Sequence, residues 1–327
     1  MDWYQLADRA LAGETPRYEE SMAVLRSTDD ELLEVLQAAF KVRAATFGRD
    51  VHIHVLQNAQ SGRCPEDCGF CSQSSKADSE INEYPIQSVD SLVASARKAH
   101  ENGAARYCMV TATRGPSNRD LDVVCSAVKQ IKTEMPGMEI CTSLGLLTEK
   151  KAERLAAVGV DRYNHNLETS ERLFANMVST HTYGDRVETI QAAHSAGMET
   201  CCGGIVGMGE GVEDRLNLAY ALKELGVASI PVNFLNPRPG TKLEQRAILK
   251  PADCLRTLAM FRFIHPTRDL RVAGGREVCL RHMQPLALYP ANSIFSEGYL
   301  TTGGSQSTSD RQMVQDAGFR VAAVSEA

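Results

Sequence analysis

The sequence predicts an α/β fold, a (β/α)8 barrel of the TIM type with an N-terminal helical extension. The first observation is length, because 327 residues accommodate a barrel of about 250 residues as one unit. The second is that short apolar segments alternate with amphipathic ones after residue 50, which is typical of parallel strands joined by helices. A doubly wound sheet would open with a strand–GxGxxG–helix unit, which we do not find. We therefore predict an extension over residues 1–50 and a barrel over residues 51–327.

The elements follow in order along the chain. The extension is predicted to be helical because Thr28 to Glu31 form a capping box, followed by apolar residues at helical spacing. Helices are predicted over 88–102, 148–158 and 185–196, each ending at a glycine or just before one. The eight strands are predicted over 51–56, 105–111, 139–143, 162–167, 199–206, 229–234, 270–273 and 293–295.

Charge and hydropathy exclude several classes of partner. The chain has 35 basic and 41 acidic residues, a net charge of −6, and it contains no long basic run. This composition gives no electrostatic reason to expect binding to nucleic acid or to anionic lipid. No apolar stretch approaches the ~18–20 residues of a membrane helix, and the N-terminus lacks the apolar core of a signal peptide. We expect a cytoplasmic protein.

Ten cysteines are the unusual feature of the composition. A secreted disulfide scaffold would be shorter and rich in loops. In a reducing compartment, closely spaced thiols indicate metal binding or catalysis instead. The cysteines therefore give the first indication of function.

Three of these cysteines share one short segment, Cys64-Pro-Glu-Asp-Cys68-Gly-Phe-Cys71, directly after the first predicted strand. In a barrel this loop lies at the C-terminal face of the strands, where barrel active sites are built. Three thiolates can bind three irons of a [4Fe–4S] cluster and leave the fourth iron open to a small molecule. A structural zinc site is the alternative, but it usually needs a second cysteine or histidine pair, and none follows at short range.

The C-x3-C-x2-C spacing, with Phe70 before the last cysteine, resembles the signature of the radical S-adenosylmethionine enzymes. The segment Gly203-Gly204-Ile205-Val206-Gly207-Met208-Gly209-Glu210 is similar to a second motif of that family, G-x-I-x-G-x-x-E. The resemblance implies that Cys64, Cys68 and Cys71 are catalytic ligands of a [4Fe–4S] cluster that cleaves S-adenosylmethionine. It also implies cofactor-binding roles for Phe70, Gly203, Ile205, Gly207 and Glu210.

A second set of unusual residues falls within predicted strands: Cys108, Cys141, Cys201 and Arg271. Each cysteine taken singly is most simply a buried small side chain. An arginine inside a barrel is different, because a buried charge without a partner is costly. Arg271 must therefore point outward or meet an anionic partner, such as a thiolate-ligated cluster.

A narrower resemblance covers nearly the whole chain and concerns a branch of the same family that inserts sulfur into dethiobiotin. It rests on segments such as YNHNLETS from Tyr163, CCGGIVGMGE from Cys201 and LRVAGGRE from Leu270. It implies a [2Fe–2S] cluster, the source of the sulfur, bound by Cys108, Cys141, Cys201 and the catalytic Arg271.

The same resemblance implies roles for polar residues near the strand ends. Asn164 and Asn233 would bind the ureido ring of dethiobiotin, since amides both donate and accept hydrogen bonds. Asn166 and Glu168 would bind the ribose of S-adenosylmethionine, and Arg186 its carboxylate. Thr301 and Thr302 would bind the carboxylate of dethiobiotin. We interpret His165 as a packing histidine with its hydrogen bonds satisfied.

The expected activity is therefore radical insertion of sulfur into dethiobiotin by a sulfurtransferase. The resemblance also implies a homodimer and a flavodoxin- or ferredoxin-type electron donor. Two alternatives remain: another radical enzyme of cofactor assembly on the same barrel, and a non-enzymatic iron–sulfur or zinc carrier. Cys125, Cys254 and Cys279 lie in predicted helices and are most simply buried. Cys202 and Cys279 nevertheless leave open an auxiliary cluster of different nuclearity.

Overall fold

The computed structural model describes residues 1–296, 298–301 and 307–322. Within these ranges no helix is both long and apolar enough to cross a membrane. Ten strands are described: β1 Asp50–Gln60, β2 Arg106–Thr111, β3 Glu139–Ser143, β4 Arg162–Asn164, β5 Glu199–Cys201, β6 Gly204–Val206, β7 Ser229–Phe234, β8 Asp269–Val272, β9 Ser293–Ser296 and β10 Arg320–Val321.

The strands close into a parallel barrel of eight positions, which confirms the predicted fold. The order around the barrel is β1-β2-β3-β4-β5-β7-β8-β9, and β9 pairs back with β1. Strand β6 continues the fifth position after a break and pairs with β7, while β10 pairs with the start of β1 outside the ring.

Three predicted strands differ by more than one residue from the observed ones. The first runs to Gln60 rather than ending at residue 56. The prediction of one strand over 199–206 is wrong, because the ladder is interrupted at Cys202 and Gly203. The fourth strand ends at Asn164 rather than at residue 167. The early end of the fourth strand and the break in the fifth lie on the same side of the barrel, where Glu168 bridges to Gly204. The backbone beyond each of these points belongs to the loops above the strands.

Helices surround the barrel and form the N-terminal segment. Ser88 accepts a hydrogen bond from a backbone N–H group at a predicted helix start, as N-caps do. Thr182 does the same for a helix that begins at Tyr183 rather than at the predicted residue 185. Only one bond of the predicted capping box is present, from the Thr28 N–H to the Glu31 carboxylate. The Thr28 hydroxyl donates to the same carboxylate instead of capping a backbone N–H, and the helix begins only at Leu32. The helices are α1 Trp3–Leu11, α2 Tyr18–Leu25, α3 Leu32–Phe47, α4 Val89–Glu101, α5 Asn118–Glu134, α6 Glu149–Ala157, α7 Glu171–Met177, α8 Tyr183–Ser195, α9 Val212–Glu224, α10 Pro251–Ile264, α11 Arg276–Leu280 and α12 Ser307–Asp316, with a 3-10 helix at Arg281–Leu288.

The apolar core lies between the strands and the helices, not inside the barrel. In β2, Tyr107 and Met109 pack outward among helical residues, whereas Cys108 faces the interior cavity. This follows from the period of two in a strand. Barrel interiors are normally filled by branched apolar side chains. Here the inward positions carry cysteines and charged residues, which leaves room for a polar site.

Candidate active site in the barrel interior

A cavity of about 300 Å³ occupies the barrel interior and opens at the C-terminal ends of the strands. It brings together residues that are far apart in the sequence, including both predicted sets of cysteines. The predicted site residues that line it are Cys64, Cys68, Phe70, Cys71, Cys108, Cys141, Asn164, Asn166, Glu168, Arg186, Cys201, Ile205, Asn233, Arg271 and Thr301. Thr302 lies outside the described residues.

The three-cysteine loop is fixed to the barrel by backbone hydrogen bonds. The N–H of Cys64 donates to the carbonyl of Gln73 at 3.2 Å, and that of Gly69 donates to Met177 at 2.9 Å. All three loop cysteines are free thiols. Desolvation raises the pKa of each of them, that of Cys71 to about 11. A bound cation would be needed to hold them as thiolates at neutral pH.

The donor set of this loop suits an iron–sulfur cluster better than a single zinc ion. In the part of the chain that the structure describes, no group of three or more His, Cys, Asp or Glu side chains is arranged to hold one metal ion. A zinc ion would need such convergence, with thiolate sulfurs about 2.3 Å from it. The cysteines of a cluster each bind a different iron and stand further apart. Three thiolate donors on one loop are the soft ligands that an iron–sulfur cluster takes.

Arg186 connects the loop to the residues predicted to bind S-adenosylmethionine. Its Nη1 donates to the carbonyl of Asn166 at 2.7 Å and lies 3.3 Å from a Glu168 carboxylate oxygen. Its Nη2 lies 4.0 Å from the Cys68 sulfur. Arg186 and Glu168 are both buried, and burial raises the pKa of Glu168 although Arg186 opposes this shift. The buried ion pair of Arg186 and Glu168 therefore lies beside the three-cysteine loop.

The backbone of Glu168 adopts a left-handed conformation, with φ of +69°. This is uncommon for a residue with a side chain and is often found at functional sites. Two hydrogen bonds maintain it: the Glu168 N–H donates to Gly203 at 3.2 Å, and the Ile205 N–H donates to Glu168 at 2.7 Å. The glycine-rich segment thus holds Glu168 in a strained position facing the cavity.

The glycine-rich segment packs against backbone on both sides. A Cβ on Gly203 would lie 1.9 Å from the carbonyl oxygen of Pro231. Glu210 accepts hydrogen bonds from the N–H groups of Gly207 at 2.8 Å and Gly209 at 3.1 Å. Among the described residues, Gly203, Gly207 and Glu210 are not part of the cavity lining. If these residues contribute to cofactor binding, they do so by fixing the conformation of the glycine-rich segment and not by contact with the cofactor.

Deeper in the barrel, the second set of cysteines meets Arg271. Cys108 and Cys141 are direct neighbours in the register of β2 and β3, and their thiols share a hydrogen bond. Arg271 places its Nη1 3.8 Å from the Cys201 sulfur. The buried Nε of Arg271 has no hydrogen-bond partner among the described residues. Three thiols and a guanidinium with an unused N–H form a donor set that fits a second cluster.

The remaining cysteines point away from the cavity. Cys201 lines the cavity, whereas Cys202 packs in the apolar layer outside the barrel, as opposite faces of a strand require. Cys279 donates to the carbonyl of Leu235 at 3.4 Å and shares a hydrogen bond with Cys254. Cys125 lies on α5, with its sulfur 3.9 Å from a backbone carbonyl. In this structure neither Cys202 nor Cys279 lines the cavity that holds the auxiliary set.

The predicted substrate residues already make contacts within the protein. Asn164 donates to the carbonyl of Cys201 at 3.1 Å. Asn233 donates to Gly204 at 3.2 Å and accepts from the Gly274 N–H at 2.9 Å. Thr301 shares a hydrogen bond of 2.8 Å with Ser72 on the cluster loop. These contacts fix the directions of the side chains, and each group keeps further hydrogen-bonding capacity for a ligand.

One residue near the cavity differs from its interpretation from the sequence, and another was missed. His165 was expected to be satisfied, and this is wrong for its Nε2, which is buried without a partner in the described part of the chain. Asp269 accepts hydrogen bonds from Arg271 and from several neighbouring strands. A signal for Asp269 was present, because it precedes Arg271 by two residues in one strand and so shares its face.

Comparison with known proteins defines the class first. Residues 60–227 match the radical SAM superfamily, and residues 231–320 match the Biotin and Thiamin Synthesis associated domain. The crystal structure of methylornithine synthase (PylB) superposes with a TM-score of 0.83 over 97% of both chains, at 18% identity. That of HydG, a maturase of the [FeFe]-hydrogenase, gives 0.81 over 97% of this chain and 74% of its own, at 15% identity. The fold and the matched segments are those of a radical S-adenosylmethionine enzyme.

Curated relatives narrow this class. Biotin synthase of Salinibacter ruber is 56% identical over 317 residues, which cover 97% of this chain and 88% of the relative. Biotin synthase of Bacillus subtilis is 46% identical over 99% of this chain and 96% of its own. The chain belongs to the biotin synthase family.

Proposed function

We propose that this chain converts dethiobiotin to biotin by radical insertion of sulfur. A [4Fe–4S] cluster on Cys64, Cys68 and Cys71 would bind S-adenosylmethionine, and a [2Fe–2S] cluster on Cys108, Cys141, Cys201 and Arg271 would supply the sulfur. The observation that carries the proposal is that both sets of ligands line one cavity in a chain of the biotin synthase family.

The chemistry explains why such a cavity is needed. When bound, the loop cluster and S-adenosylmethionine supply a carbon radical that removes hydrogen from saturated carbons, which have no acidity for a base to use. The protein's part is to bind, orient and exclude water. Arg186, Asn166 and Glu168 would hold the carboxylate and ribose of the cofactor on the side of Cys68. Asn164 and Asn233 would hold the ureido ring between the two sets of cysteines.

The placement of the polar residues also indicates where the substrate's carboxylate would bind, and it argues against the alternative functions. Thr301, hydrogen-bonded to the cluster loop through Ser72, and Thr302 would bind the carboxylate of dethiobiotin. A carrier of iron–sulfur clusters would have no use for the strained Glu168 or for the asparagines in the cavity. The other barrel enzymes named above share the fold at 18% and 15% identity, far below the 56% of the biotin synthase relative.

We also propose a cytoplasmic location, a homodimer and an electron donor of the flavodoxin or ferredoxin type. All ten cysteines are free, which suits a reducing compartment. Cys68 and Cys71 line the inner cavity and also a hollow of about 240 Å³ on the opposite side of the loop. An electron donor at this hollow would be separated from the cluster by the loop alone. The homodimer rests on the resemblance.

One assay tests the proposed function as a whole. Protein reconstituted anaerobically with iron and sulfide is expected to bind about six irons per chain, four in the loop cluster and two inside the barrel. After reduction with dithionite, it is expected to form both 5′-deoxyadenosine and biotin from S-adenosylmethionine and dethiobiotin. Formation of 5′-deoxyadenosine without biotin would contradict the substrate, and absence of both products would contradict the class of reaction.

The role of Asn164 has a separate test. Asn164→Ser is expected to weaken dethiobiotin binding about tenfold, since loss of a hydrogen bond or two in a closed site costs about 1.5 kcal/mol. Binding of S-adenosylmethionine is expected to change little. Equilibrium binding of each ligand to the reconstituted protein measures both effects. Asn217→Ser, at an exposed position of α9, is the control, and equal dethiobiotin affinity in the two variants would refute the assignment.

A further inference from the structure

Below the cysteines, the N-terminal end of the barrel interior is closed by charged side chains, which we call the barrel floor. Neighbouring strands place these residues opposite one another: Arg106 pairs with Glu139, Arg162 with Glu199, and Ser229 with Asp269. The floor comprises His54, Arg106, Glu139, Arg162, Glu199, Ser229, Asp269, Arg271 and Ser293. Three arginines inside a barrel are unusual, because buried charges are stable only when paired.

Asp269 is the acceptor on which this floor converges. Its Oδ2 accepts from Arg271 at 2.9 Å, Arg162 at 3.1 Å and Ser229 at 2.8 Å. Its Oδ1 accepts from Asn292 at 3.0 Å and Ser293 at 2.6 Å. One carboxylate thus connects β4, β7, β8 and β9.

This carboxylate fixes the orientation of Arg271. The Nη2 of Arg271 donates to both Asp269 and Ser229, and the ring of Phe295 packs 4.9 Å from its guanidinium carbon. With one edge of the guanidinium bonded and one face covered, Nη1 is directed to the Cys201 sulfur at 3.8 Å. The Nε has no partner in the described ranges. The free N–H groups therefore face the region of the three thiols.

We propose that Asp269 is the positioning residue of the auxiliary cluster. It holds Arg271 in register with Cys201 and balances one of the three arginine charges. Glu139 and Glu199 pair with the other two arginines, so the floor has no net charge, and it is the direction of the Arg271 guanidinium toward the Cys201 sulfur that suits a cluster made anionic by three thiolates. This inference rests on the proposed function, because it assumes that a cluster binds at Cys108, Cys141 and Cys201.

Asp269→Asn tests the inference, because it keeps the shape of the side chain and removes the charge. Wild type and variant are reconstituted anaerobically in full-length form, and Mössbauer and visible absorption spectra quantify each cluster type. The variant is expected to hold at least threefold less [2Fe–2S] cluster, or to show a shifted spectrum for it, while its [4Fe–4S] cluster stays at the wild-type level. These readouts do not depend on turnover.

Two further variants make the result interpretable. Glu199→Gln is the matched control, because Glu199 forms an ion pair with Arg162 on the same floor. Among the described residues Glu199 forms its side-chain bonds with Arg162 and not with Arg271, and Glu199→Gln is expected to keep both clusters. Ser229→Ala removes a smaller partner of both Asp269 and Arg271 and is expected to lower or shift the same cluster. It decides the matter if Asp269→Asn does not fold, as judged by circular dichroism.

The outcomes separate the inference from the proposed function. A wild-type [2Fe–2S] cluster that persists unchanged in Asp269→Asn and in Ser229→Ala overturns the inference and leaves the proposed function standing. A wild-type protein that binds only the loop cluster overturns the proposed sulfur source, and the inference with it. Equal loss in Glu199→Gln also overturns the inference, because the whole floor would then matter rather than Asp269.

Discussion

Replacing Cys64 with alanine is expected to abolish cleavage of S-adenosylmethionine. Three cysteines share the loop, and a cluster reduced to two protein ligands has no defined open iron for the cofactor. The iron content is expected to fall by about four per chain, to that of the auxiliary cluster alone. The measurements are 5′-deoxyadenosine formation under dithionite, and iron analysis of the same anaerobic sample. Intact cleavage in this variant would show that the loop is not the site of the cofactor.

Cys125→Ala is the matched control for this experiment. Cys125 is a free cysteine on α5 whose sulfur lies 3.9 Å from the backbone carbonyl of Arg154. It packs among the helices outside the barrel. Its replacement is expected to leave cluster content and cleavage unchanged. The free energy of unfolding is expected to fall by about 1 kcal/mol, because the buried sulfur atom is lost.

Most of the barrel could be predicted from the sequence because the alternation of strands and helices is visible within short stretches of the chain. Apolar strands between capped helices are visible in any single stretch of chain, and they locate the cluster loop after the first strand. These predictions need no knowledge of contacts between distant residues. That Cys108, Cys141 and Cys201 share one site was implied by the resemblance alone, because alternation along a single strand does not say which face is the interior.

The parts that could not be predicted depend on contacts across the barrel. The break at Cys202 and Gly203 arises where that backbone meets Pro231, 28 positions further along the chain. The orientation of His165 follows from the end of β4 at Asn164, which returns the next residue to the cavity. The sequence showed that Arg271 needs an anionic partner. It did not show that Asp269 also serves Arg162 from another strand.

Gly203→Ala is expected to damage both stability and cofactor binding. The added Cβ would lie 1.9 Å from the Pro231 oxygen, well inside contact distance, and the neighbour is backbone that cannot turn away. Overpacking of this kind typically costs ~1–3 kcal/mol, roughly a 5 °C fall in melting temperature for a chain of this size. The shift also moves the Gly203 N–H, which donates to Asn166 at 3.1 Å, and the Gly203 carbonyl that Glu168 uses.

Gly184→Ala separates this effect from the general cost of replacing a glycine. Gly184 lies in the first turn of α8, and its new Cβ would meet only the Thr182 hydroxyl, at 3.6 Å. Alanine is the better helix former by about 1 kcal/mol, so this variant is expected to be as stable as wild type or more so. Thermal unfolding and equilibrium binding of S-adenosylmethionine are measured for both. If Gly203→Ala binds the cofactor as tightly as Gly184→Ala does, then the close packing at Pro231 does not position Asn166 and Glu168, and those two residues lose their assigned role on the ribose.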